Sequence, residues 1–113
     1  MTVAEVLLLD WKLGGRPARV EGFLVVTYLF AYLASNENDA CGVLVNEPRL
    51  LERLLSRVPP AAGSMVIYAG DAVIEGTLEL STGLPMFPAL LHSIKTFTFT
   101  RSDWESVRFD FPV

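Results

Sequence analysis

Cysteine and histidine are each present once, as Cys41 and His92. One cysteine excludes an internal disulfide and cannot alone build a zinc site, so a small buried hydrophobe is its expected role. A general base needs a nucleophile and an orienting group nearby. Neither Cys41 nor Ser93 stands at a spacing from His92 that supports such a set, so no catalytic residue is assigned and no enzymatic activity is expected. Positive charge is also scarce: nine Lys and Arg against thirteen Asp and Glu give a net charge of -4. That is the wrong sign for a chain whose main work is neutralising phosphates, although a local basic groove remains open.

Long apolar runs are missing too. The longest, residues 23–34 interrupted only by Thr27, matches a buried core segment and is too short to span a bilayer. Residues 1–5 lack the basic stretch and cleavage site of a secretory signal; a processed chain would look the same, and the cytoplasm is the expected compartment. The glycines at 14–15, 63, 70 and 83 form neither a P-loop nor a dinucleotide fingerprint. Asn36, Glu37, Asn38 and Asp39 offer oxygen ligands without the glycine and terminal glutamate of a calcium loop, and read as a hydrated turn. No metal and no cofactor are expected. No fixed-period repeat, low-complexity tract or linker divides residues 1–113, which read as a single domain.

What is present is apolar. Hydrophobic residues make up 51% of the chain and the mean hydropathy is +0.40, enough for a core and for some apolar surface that needs a partner. Thr2-x-x-Glu5 is a capping box and predicts a helix over residues 3–13, ended by Gly14-Gly15, whose apolar side could plug one end of a β structure. Residues 18–26 and 27–34 read as two strands or one bent ribbon with no turn signal at the join, and 41–45 as a further strand. Asn46-Glu47-Pro48 offers a cap and a first-turn proline for a helix carrying the apolar stripe Leu50, Leu51, Leu54, Leu55 and Val58, stopped by Pro59-Pro60.

Residues 64–68 and 72–80 are strand-like, separated by Gly70-Asp71, a turn or bulge signal, and residues 81–88 read as a loop. Residues 95–101 alternate strictly, with Phe97 and Phe99 on one side, and 107–111 alternate again. An antiparallel hairpin across 102–105 is favoured over a short helix there, which the second capping box Ser102-x-x-Glu105 also permits.

Val20-Glu21-Gly22-Phe23 and Ile74-Glu75-Gly76-Thr77 place a glycine inside two apolar extended runs, as at the corners of a small barrel. Three strand segments, one helix and further strands with those kinks resemble the oligonucleotide/oligosaccharide-binding (OB) fold, over residues 18–101. The resemblance implies a mainly β, five- to six-stranded small barrel with one helix between strands 3 and 4, here preceded by an amino-terminal helix. Single-strand binders of that fold combine exposed aromatics with a basic groove. Tyr28, Phe30 and Tyr32 supply the aromatic half on one face of the second strand, but residues 25–48 contain no lysine or arginine.

Both faces of that strand are apolar, which leaves three readings: cover by the terminal elements, a self-association or partner surface, or stacking of bases or sugars. Arg49, Arg53 and Arg57 form a ridge away from the leucines, either a solvated face complementing the helix dipole or a site for an acidic partner. The expected function is a non-enzymatic binding module working through protein–protein contacts, as a homodimer or a small subunit of an assembly. Tyr28, Phe30 and Tyr32 would be its anchors, with Arg49, Arg53 and Arg57 a weaker patch. The alternative is single-stranded nucleic-acid or oligosaccharide binding on the aromatic strand face, which the net charge disfavours for nucleic acid.

Overall fold

The computed structural model describes residues 1–7, 15–37, 42–60, 65–80, 86–101 and 106–111. Among these, the elements in chain order are α1 (Val3–Leu7), β1 (Arg16–Val26), β2 (Ala31–Ala34), β3 (Val43–Val45), α2 (Leu50–Arg57), β4 (Tyr68–Leu80), β5 (Ala89–Thr100) and β6 (Val107–Asp110). The sheet runs β3-β2-β1-β4-β5-β6, and a parallel pairing of β3 with β5 closes five of the strands into a barrel. The expected mainly β, OB-like barrel, with one helix between the third and fourth strands and a short amino-terminal helix, is therefore the observed architecture.

The capping box forms as read: the Glu5 amide donates to Thr2 Oγ1 at 3.2 Å and the Thr2 amide to Glu5 Oε1 at 3.3 Å. It starts α1, which lays Val3 and Val6 into the core beside β1. The remainder of the expected helix, residues 8–13, lies outside the described residues, as do Cys41, Asn38 and Asp39.

Both kinked glycines lie in one ladder, where Gly22 pairs with Ala72 and Gly76 with Ala18. At Gly22 a Cβ would sit 2.7 Å from Val3 Cγ2 and 2.8 Å from the Ala34 carbonyl oxygen, so its lack of a side chain admits both α1 and β2. At Gly76 the β4–β5 register jumps, Glu75 pairing with Thr96 and Thr77 with His92, so residues 93–95 of β5 bulge opposite the glycine. Ser93 within the bulge has a φ of 51°.

Several local expectations are corrected. Residues 27–34 are not one strand: β1 ends at Val26 and β2 starts at Ala31. Gly70-Asp71 does not interrupt β4, because Gly70 pairs with Leu24 and Asp71 with both Phe23 and Thr100. Hydrogen bonding on both sides outweighs the local turn preference. Asn46 does not cap α2; the N-cap is Arg49, with no side-chain cap bond. Glu47 organises that end instead, its carboxylate accepting from the Arg49 amide at 3.1 Å and from Arg49 Nε at 3.0 Å.

The carboxy-terminal hairpin is present, with Phe97 opposite Phe109 and Phe99 opposite Val107; its connection, residues 102–105, is outside the described residues. Leu50, Leu54 and Val58 of the α2 stripe are buried in the core, while Leu55 is exposed. Tyr68 Oη donates to the Val58 carbonyl at 2.6 Å, tying the end of α2 to the start of β4.

Candidate functional site

Thr27 is the one polar residue of the 23–34 run, and it builds a tight turn between β1 and β2. Its amide donates to the Phe30 carbonyl at 2.8 Å. Its hydroxyl oxygen accepts from the amides of Leu29 at 3.2 Å and Phe30 at 3.1 Å. The turn thus ties the amides of Thr27, Leu29 and Phe30 internally and holds two large side chains outward: Tyr28 is 75% exposed and Leu29 88%. Tyr28, Phe30 and Tyr32 consequently do not share one strand face. Tyr28 is at the turn tip, Phe30 follows it, and only Tyr32 lies in β2. The signal for this was Thr27 itself, a hydroxyl two and three residues before amides that needed an acceptor.

Phe30 and Tyr32 nevertheless form one aromatic unit. Their rings stack at 5.9 Å between centroids and 26°. Phe87, just before β5, packs against Phe30 at 5.8 Å and Tyr32 at 5.2 Å. Cross-strand register extends the apolar surface sideways: Ala69, Val25, Tyr32, Leu44 and Leu90 face one another in a row from β4 around to β5. Val25 and Phe87 are buried, whereas Phe30 is 42% and Met86 50% exposed. The second apolar face of β2 is therefore covered in part by Phe30 and Phe87, and sequence reasoning missed Phe87 because it sits in a loop between two prolines.

Beside the turn, a groove of about 220 Å³ runs between Tyr28, Leu29 and the β3–α2 connection at Asn46, Glu47 and Pro48. Burial pushes the Glu47 carboxyl up, but hydrogen bonds from the Arg49 side chain and amide, with the charges of Arg49 and Arg53, outweigh it and hold the group below the usual carboxylate range. The groove wall thus carries a carboxylate. Among the described residues, no arginine or lysine lines the groove.

The arginine ridge is used elsewhere. The guanidinium carbons of Arg49 and Arg53 lie 5.1 and 5.6 Å from the centroid of Phe111, and that of Arg57 lies 5.2 Å from Phe109. Arg57 Nη1 also donates to the Arg108 carbonyl at 3.1 Å. Those side chains cover the buried rings of Phe109 in β6 and Phe111 just after it, so they are not joined to the aromatic turn in one site.

His92 stands beside the β5 bulge, its Nδ1 2.9 Å from Ser93 Oγ and its Nε2 2.8 Å from Glu79 Oε2, the latter without hydrogen-bond geometry. Neither His92 nor Ser93 lines the groove beside the turn. Among the described residues no group of three or more metal-ligating side chains is assembled, and no helix is long and apolar enough to cross a membrane. No family model, curated protein or solved structure matches the chain.

Proposed function

We propose that this chain is a non-enzymatic binding module of the OB-fold superfamily that works through protein–protein contacts, as a homodimer or as a small subunit of a larger assembly. The observation that carries the reading is the β1–β2 turn, which holds Tyr28 and Leu29 at 75% and 88% exposure on a backbone pinned by the Thr27, Leu29 and Phe30 amides. Covering a Leu or aromatic side chain of that kind contributes about 1.5–3 kcal/mol each. A turn already fixed by Thr27 loses little conformational freedom when it docks. The aromatic unit of Phe30, Tyr32 and Phe87 continues the same surface. The stack also supports the second reading, single-stranded nucleic acid or oligosaccharide, whereas the carboxylate of Glu47 and the lack of cations in the adjoining groove oppose phosphate.

Sedimentation equilibrium over a concentration series tests the proposal together with anisotropy of a labelled oligo-dT. The expected result is concentration-dependent association that Leu29→Asp abolishes with the fold retained, and no tight oligonucleotide binding. A strict monomer would remove the homodimer and leave the subunit role. Oligo-dT binding that weakens steeply with salt and is lost in Phe30→Ala would overturn the protein-contact reading in favour of stacking.

A further inference from the structure

A second concavity lies away from the aromatic turn, on the outer face of β1, β4 and β5. Its volume is about 890 Å³. Register builds its floor in two rows: Glu21 faces Val73, which faces Thr98, and Phe23 faces Asp71, which faces Thr100. Phe23 and Val73 are half-buried and give the floor an apolar strip; Ala4 of α1 and Glu37 after β2 also line the groove.

Among the described residues, four carboxylates of the barrel stand beside a cation or an imidazole. Glu47 pairs with Arg49 at 3.0 Å, Glu75 with Arg19 at 3.8 Å and Asp110 with Arg108 at 3.4 Å. Glu79 stands 2.8 Å from His92. Among the described residues, Glu21, Glu37 and Asp71 have no cationic partner; the same is true of Glu5 and Glu52, but these three line one groove, whose lining includes no lysine or arginine. Arg108, opposite Thr98, pairs with Asp110; Arg19, two residues before Glu21, pairs with Glu75; and the Met1 ammonium donates to the Arg19 carbonyl at 3.0 Å. An apolar strip rimmed by three unpaired carboxylates is complementary to one kind of occupant.

We infer that this groove docks a basic amphipathic segment of a partner protein, its apolar side against Phe23 and Val73 and its Lys or Arg side chains on Glu21, Asp71 and Glu37. The diagonal from Glu21 to Asp71 across β1 and β4 spans about 7–8 Å between backbones, less between side chains. Basic residues three or four apart on a helix, about 5–6 Å between Cβ atoms, reach both. Such a surface gains on-rate and specificity from its charge and residence from its apolar strip.

A fluorescein-labelled helical peptide of leucine and lysine, with a leucine–glutamate counterpart of the same pattern, serves as the probe in anisotropy titrations and amide chemical-shift mapping on the full chain. The lysine peptide is expected to bind, shifting amides at Phe23, Val73 and Thr98, and the glutamate peptide is not. Glu21→Gln with Asp71→Asn should weaken binding about fivefold or more and flatten its salt dependence. Leu29→Asp should leave it unchanged, which separates this groove from the aromatic turn. Unaltered affinity in the double variant, equal binding of both peptides, or shifts confined to residues 27–30 would overturn the inference.

Discussion

Gly22 and Gly76 face alanines in the same β1–β4 ladder, and each serves a different neighbour. Beyond Gly22, β1 takes on β2 as a second partner, starting with the pair Phe23–Ala34. The space a side chain would need at Gly22 is held by Val3 of α1 and the Ala34 carbonyl. Because one of those is backbone, a rotamer change does not relieve the clash. Gly22→Val is therefore expected to cost about 1–3 kcal/mol, read as a lower midpoint in urea unfolding. A variant as stable as the wild type would mean that α1 moves away at no cost. The paired Glu-Gly pattern was legible, but not what Gly22 serves, since its close neighbours come from residues 3 and 34 and no local spacing encodes them. The opposite error occurred at Thr27, where one hydroxyl among apolar residues read as strand yet organises a complete turn.

At the scale of elements, α2 is held from two sides. Its leucine stripe was plain in the sequence because a 3.6-residue period is a local property. The destination of its other face was not: Arg49, Arg53 and Arg57 read as a solvated face or a site for an acidic partner, yet they lie over Phe109 of β6 and Phe111 just after it, more than fifty residues on. Its carboxyl end is fixed by the buried Tyr68, whose hydroxyl donates to Val58. Burial raises the Tyr68 pKa above its ordinary 10.0, with Arg101 pulling the other way. The fold thus favours the neutral phenol. Its contribution to stability is complete below about pH 10 and declines as pH rises through the higher folded-state value. Tyr68→Phe leaves the Val58 carbonyl without this donor and is expected to cost about 1–2 kcal/mol at neutral pH. It should also flatten the alkaline decline seen in denaturant midpoints above about pH 10. An identical alkaline limb in both proteins would show that another group sets it.

Over the whole molecule, closure of the barrel is its least redundant feature. β1 and β4 pair along eleven residues, from Arg16 with Leu78 to Val26 with Tyr68. The closing seam of β3 with β5 has three paired positions, Val43–Ala89, Leu44–Leu90 and Val45–Leu91, and its strands run parallel. Sub-global opening is set by the contacts broken, so the seam is expected to open at lower free energy than the β1–β4 ladder. In native-state hydrogen exchange, the hydrogen-bonded amides of Val43–Val45 should exchange faster than those in the centre of β4, and independently of denaturant where the ladder's exchange rises with it. Equal protection at both would mean the barrel opens only as one unit. The seam carries Leu44 and Leu90, which continue the apolar row from Tyr32, and it lies next to Phe87. A partner seated on the aromatic surface would therefore clamp the part of the barrel that opens most easily. It should raise protection at β3 before it raises protection at β4.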